Sequence, residues 1–209
     1  MTTVRDEPTL VDRLRAGATE HFGKFGFDQS MLEISIALDV DGSTLSDLFG
    51  SVNGLRAVCD EYVLSSIRAA KTESLSARDP GTWLTQIAGI ESFAPTMSYL
   101  VRSLQAGDEL GHTLLREMIE NAATYLEDAV GTGTVKPSRD PKARARFLAT
   151  SVGGGFLLYL RMHQTPEDMR EVLRDYARDM IIPAVELYTQ GLMADDTMSD
   201  AFLNHSLHV

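Results

Sequence analysis

Apolar residues return every three or four positions along almost the whole of this chain, and no segment shows the two-residue alternation of a half-buried strand. That pattern restricts the fold class to all-α. Leu10, Val11, Leu14, Ala18, Phe22 and Phe25 form a first stripe, opened by Thr9 as a helix cap and closed at Gly26. Met31, Ile34, Ala37 and Leu38 define a short second helix capped by Ser30. Asp39 and Val40 make a tight break. Asp41 then caps a third short helix, with Leu45, Leu48 and Phe49 expected to face inward, and Gly50 ends it. Ser51 opens a longer helix through Leu55, Val58, Cys59, Tyr62, Val63 and Ile67.

The turn cluster Arg78-Asp79-Pro80-Gly81 interrupts this run. Trp83, Ile87 and Ile90 follow, and then a helix over 92–104 whose Pro95 suits a first turn. The cleanest amphipathic helix carries Leu110, Leu114, Met118, Ala122, Tyr125, Leu126 and Ala129, and Gly131 to Gly133 break it. Asp140-Pro141 opens a helix to about His163. Thr165-Pro166 opens the last long one, to about Gln190, with a kink expected at Pro183. Segments 1–7 and 194–209 are charge-rich and read as loose, the second with room for a turn or two of helix.

A chain of 209 residues buries roughly 70% of its unfolded surface and needs no disulfide or metal for its core. The single cysteine, Cys59, excludes an internal disulfide and a multi-cysteine metal site; it lies on an apolar stripe and reads as a buried thiol. His205 and His208, three apart near the end, are too few ligands for a metal site. No Gly-x-Ser-x-Gly and no His-Glu-x-x-His occurs, so neither an enzyme nor a cofactor is expected. The opening MTTVRDEPTL has no apolar signal core, and the apolar run 152–160 is too short for a bilayer. These features read as cytoplasmic, without a membrane partner.

The two short helices over 30–49, joined by a tight turn and flanked by longer helices, have the layout of a helix-turn-helix unit whose second helix enters the major groove of DNA. The run HFGKFGFDQSMLEISIALDVDGSTLSDLFGSVNGL, residues 21–55, resembles the N-terminal domain of TetR-family transcriptional regulators. The positions that carry the resemblance are Phe22, Gly26-Phe27, Ser30, Ile34, Val40, Thr44-Leu45, Phe49, Gly50-Ser51 and Leu55. Residues 182–192, IPAVELYTQGL, resemble the helical ligand and dimer domain of actinobacterial members. The resemblance implies a helix-turn-helix domain over 1–50 and a larger ligand-binding and dimerisation domain over 51–209, with 51–71 as the linking helix. It implies double-stranded operator DNA, an apolar small-molecule effector and a second copy of the chain as partners.

The departures from the family pattern fall on DNA-facing positions. A phosphate-binding tyrosine is replaced by Ser46, a lysine by Val52, and the turn glycine by Asp39. The net charge is −11, and residues 25–55 hold five acidic side chains (Asp28, Glu33, Asp39, Asp41, Asp47) with no Lys or Arg. Affinity for DNA rests largely on neutralised phosphates. That role is left to Arg13, Arg15, Lys24 and Arg56 beside the unit, and to the helix N-termini at Ser30 and Ser43. Ser30, Ser43, Thr44 and Ser46 are the expected DNA-side residues. The same charge count supports an alternative: a ligand-sensing or protein-interaction module on this fold that has lost or altered its DNA binding.

In the second domain, Trp83, Phe93, Met97, Met118, Tyr125 and Phe156 are the candidate lining of an effector pocket. Core packing is the competing role for each. Phe147, Leu148, Val152, Phe156, Leu157, Leu158 and Leu160 nearly encircle their helix, which points to burial on all sides. A homodimer supplies the missing cover, with Leu157, Leu160, Val172, Tyr176, Met180 and Val185 as the expected interface. The basic run Lys136, Arg139, Lys142, Arg144, Arg146 reads as a solvated helix start or as a site for an acidic partner.

Overall fold

Each helix boundary has a local cause. The computed structural model describes residues 8–76 and 79–206, and among these it contains ten α-helices, one 3-10 turn and no strand. The helices are α1 (Leu10–Phe25), α2 (Met31–Ala37), α3 (Gly42–Phe49), α4 (Val52–Ser76), α5 (Pro80–Ala88), α6 (Ala94–Ala106), α7 (Glu109–Gly131), α8 (Pro141–Met162), α9 (Met169–Gln190) and α10 (Thr197–Ser206); the 3-10 turn is Ile90–Phe93. Thr9 and Asp12 close a reciprocal capping box on α1, as Ser30 and Glu33 do on α2. Asp41 and Asp140 cap α3 and α8 through their carboxylates, and the Ser51 hydroxyl accepts from Gly54 N–H in the first turn of α4. Asp39 sits at φ +51°, a left-handed conformation that Asp tolerates better than most residues with a Cβ, and so turns the chain where glycine would be expected.

Three boundaries differ from the sequence expectation. α9 starts at Met169 rather than at Thr165, because the Asp168 carboxylate accepts from both Arg170 and Glu171 N–H while the Thr165 hydroxyl is engaged by Glu171. α6 begins at Ala94, two residues later than expected, after the 3-10 turn. Residues 197–206, expected to be mostly loose, form α10, at whose start the Asp195 carboxylate accepts from Thr197 N–H. Pro183 lies inside α9 without ending it. The tail 1–7, Arg78 of the turn cluster and His208 lie outside the described residues.

The apolar core is continuous across residue 50. Phe22 of α1, Ile34 of α2 and Leu45 of α3 share one buried cluster with Leu55, Cys59 and Val63 of α4, Tyr99 of α6 and Leu114 of α7. Gly23 marks the closest approach between α1 and α6: a Cβ there would stand 2.9 Å from both Ser98 Cβ and the Tyr99 backbone nitrogen. Arg102 of α6 reaches back to the C-terminal end of α1, donating to the carbonyls of Gly23 and Lys24 at 3.3 Å. A second cluster joins α6, α8 and α9 through Val101, Phe156, Leu160, Val172 and Leu173, and a third joins α7 and α8 through Ala122, Leu126 and Ala145.

At the centre of the joint Arg56 is 3% exposed. Its two terminal nitrogens donate to the two Asp108 carboxylate oxygens at 2.5 and 2.9 Å, and its guanidinium lies 3.7 Å from the Phe27 ring centroid. Asp108 also caps α7 by accepting from Gly111 N–H. Beside this pair the Tyr99 hydroxyl donates to Asp60 at 2.7 Å, while burial raises the Asp60 carboxyl above the usual range. Hydrogen bonds from Arg56 hold the Asp108 carboxyl down at about 2. Asp108→Ala strands a buried guanidinium, and urea denaturation is expected to show a loss of about 3 kcal/mol. The folded pKa lies below the unfolded value of about 3.9. The stability supplied by this pair is therefore complete above pH ~4 and fades as pH falls through about 2. Asp108→Asn is expected to flatten that part of an acid-unfolding profile.

Candidate nucleic-acid interface and effector domain

α2 and α3 form a two-helix reading head held from beneath by Ile34 and Leu45, both fully buried. On α3, Ser43, Ser46, Asp47 and Leu48 face solvent and Thr44 is half-buried. Leu48, expected inward, is 44% exposed, because Leu45 alone fills the contact with the core and Phe49 packs at its edge. The four sequence candidates thus share the head but differ in availability. The Ser30 hydroxyl donates to Glu33 at 2.7 Å and the Ser43 hydroxyl donates to Asp41 at 2.7 Å, so both are engaged in their own helix caps. No hydrogen bond from the Thr44 or Ser46 hydroxyl is seen among the described residues.

The caps account for part of the acidic charge. Hydrogen bonds from Ser30 lower the Glu33 carboxyl and those from Ser43 lower the Asp41 carboxyl, so both are anionic at neutral pH and each neutralises a helix N-terminus. The N-termini expected to receive phosphate are therefore already occupied by carboxylates. The flanking cations are reduced as well. Arg56 is buried against Asp108, and half-buried Arg15 bonds Asp12 at 2.8 Å and lies 4.8 Å from the Tyr62 ring centroid. Arg13 and Lys24 remain exposed.

The six expected pocket residues are distributed over four places. Phe93, Met97 and Phe156 gather at the α6, α8 and α9 cluster, while Met118 packs with the first cluster and Tyr125 with the third. Trp83 stands on α5, where its indole N–H donates to the Ser74 carbonyl at 2.6 Å. Of the six expected interface residues, Leu160 and Val172 are buried in the second cluster of their own chain, with Leu157 and Tyr176 packed against it. Met180 and Val185 are exposed, as are Phe147 and Leu158, two of the apolar residues that encircle α8, and Ile182 and Tyr188 of α9. No group of three or more metal-ligating side chains stands together among the described residues, and no helix there is long and apolar enough to cross a membrane.

A capped two-helix reading head fused to a larger helical domain defines a helix-turn-helix transcriptional regulator. A family model described as tetracyclin repressor-like, C-terminal domain, matches residues 91–194. The chain is 53% identical over 191 residues to the HTH-type transcriptional regulatory protein RaaS of Mycobacterium tuberculosis, covering 91% of this chain and 90% of the relative. Its fold is similar to that of a TetR family transcriptional regulator, PfmR, from Thermus thermophilus, with a TM-score of 0.51 at 20% identity, over 93% of this chain and 100% of that one. The chain belongs to the TetR family of transcriptional regulators.

The cap roles of Ser30 and Glu33 predict a stability effect separate from any contact with DNA. Ser30→Ala is expected to cost about 1 kcal/mol in denaturant unfolding. Ser46→Ala, which leaves every helix cap in place, is expected to leave the unfolding midpoint unchanged.

Proposed function

We propose that this protein is a cytoplasmic homodimeric repressor that binds operator DNA through residues 30–49 and releases it when a small apolar effector enters the second domain. The observation that supports this reading is the mechanical joint. The reading head shares its core with α4, α6 and α7, and the contacts of Gly23 and Arg102 tie α1 to α6. An effector that favours one arrangement of α6 and α7 therefore shifts the population of head orientations. In a dimer that changes the separation of the two α3 helices, which must match successive major grooves.

Thr44 and Ser46 are the hydroxyls assigned to base or phosphate contact, while Ser30 and Ser43 act by fixing helix starts. Phe147 and Leu158 of α8, with Met180, Ile182, Val185 and Tyr188 of α9, are assigned to the dimer interface, since they are large, apolar and exposed in one chain. Leu158→Asp is expected to convert the dimer to monomer in sedimentation at micromolar concentration and to abolish operator binding.

With Arg13 and Lys24 as the exposed cations flanking each head, DNA binding should depend weakly on salt. Fluorescence anisotropy on the protein's own upstream DNA against a scrambled duplex, over a salt series, is expected to give a log–log slope of roughly −3 to −4 for four cations per dimer. A sequence preference with that shallow slope supports the repressor. The acidic head favours one second reading, a subunit that pairs with a more basic relative of the same fold and reads DNA through it. Absence of binding at low salt, together with heterodimers isolated from the native cell, would favour that subunit over the repressor.

A further inference from the structure

The basic run at the start of α8 is set apart in an acidic chain. Residues 136–146 hold five Lys or Arg against one acid, Asp140, while the whole chain carries −11. Arg144 is engaged within the chain, donating to Glu127 at 2.7 Å and to the Lys136 carbonyl at 2.6 Å. Lys142 and Arg146 are exposed and form no ion pair among the described residues. With Asp140, Ala143, Phe147 and Thr150 they line a surface hollow of about 490 Å³. Ala143, Phe147 and Thr150 lie on the side of α8 away from Ala145, which packs against α7. Phe147 is 66% exposed there, an aromatic ring beside two unanswered cations.

The far end of the chain has the opposite charge. Residues 191–209 hold Asp195, Asp196 and Asp200 and no Lys or Arg. Leu192 and Met193 precede α10 and are exposed, as are Met198 and Phe202, which stand four apart on one face of it. Asp195 caps the helix, and Asp196 and Asp200 are exposed. Among the described residues α10 adds no side chain to any of the three apolar clusters. A helix of 10 residues is marginal in water until an apolar face is packed.

Within one chain the two surfaces do not meet. α8 and α9 pack through Phe156 and Leu160 near the end of the first and Met169, Val172 and Leu173 near the start of the second. The basic face and α10 belong to the other ends of those two helices, and both are open. A second copy offers each of them a surface of complementary charge, twice over by symmetry.

We propose that α10 of one copy lies across the start of α8 of the other, with Met198 and Phe202 against Phe147 and the Asp196 and Asp200 carboxylates facing Lys142 and Arg146. Two such arms then clasp the dimer. This rests on the homodimer reading above and extends it from α8 and α9 to the C-terminal segment.

Charge reversal in two full-length variants tests the exchange of arms. Lys142→Glu with Arg146→Glu makes hollow and arm both acidic; Asp196→Lys with Asp200→Lys makes both basic. Each variant alone is expected to dimerise about tenfold more weakly than the parent protein in sedimentation at low salt. An equimolar mixture of the two is expected to regain the parent's association, because each arm then meets a hollow of opposite charge only on the other chain. Salt at about 1 M, which screens charges beyond roughly 3 Å, is expected to erase the differences, as it would not for a folding loss. No weakening, or a weakening that persists at high salt or that mixing does not repair, overturns the arm exchange and leaves the homodimer reading standing. A parent protein that is monomeric at micromolar concentration overturns both.

Discussion

The Arg56 guanidinium is the group on which the arrangement of this molecule depends. It is charged, almost wholly enclosed, and held by the Asp108 carboxylate before α7 and the Phe27 ring after α1, while the backbone carbonyl of Arg56 accepts from the Tyr99 hydroxyl of α6. A buried charge tolerates little displacement of its partners, because each lost contact leaves desolvated charge behind. The three elements must therefore move together or not at all. That makes the two-helix unit of α2 and α3 an extension of the helices behind it rather than a separate body on a tether.

The same residue changes the electrostatics of the head. Read from the chain alone, Arg56 is one of four cations placed to reach phosphate. Folded, it is withdrawn into the joint, and Arg15 is partly withdrawn by Asp12 and Tyr62. The acids are redistributed too: Glu33 and Asp41 hold the N-termini of α2 and α3, while Asp28, Asp39 and Asp47 stay at the surface. A net-charge count over residues 25–55 treats these five alike, although two of them stabilise helices and one turns the chain at positive φ. The head is then a hydroxyl surface that carries Asp47 on α3 and is flanked by two exposed cations, Arg13 and Lys24. For the proposed operator binding, such a surface offers little counterion release, and base-edge contact would have to supply the difference.

The second domain shows why apolar periodicity over-predicts an interface. α8 carries apolar residues on nearly every face, and a homodimer was the economical explanation. Four of the six expected interface residues are answered within the chain, because α6 and the preceding 3-10 turn come back over α9, burying Leu160 and Val172 with Leu157 and Tyr176 packed beside them. What remains uncovered on the same helices is Met180 and Val185 together with Phe147, Leu158 and Ile182. The dispersal of the pocket candidates has the same origin. Aromatic and methionine side chains serve core and cavity equally well, and Phe156 and Met118 differ only in which neighbours reach them.

The sequence by itself determined the features that act over a few residues. The all-α class, the caps at Thr9, Ser30, Asp41 and Asp140, the break at Asp39, the end at Gly50 and the helix-turn-helix signature all follow from side chains that bond their own or adjacent turns. Only the tertiary structure decided which charges are free and which apolar faces are covered. Arg56 finds Asp108 fifty-two positions away, and Gly23 meets α6 across a still longer gap. A helical stripe specifies that a face must be buried but not against what.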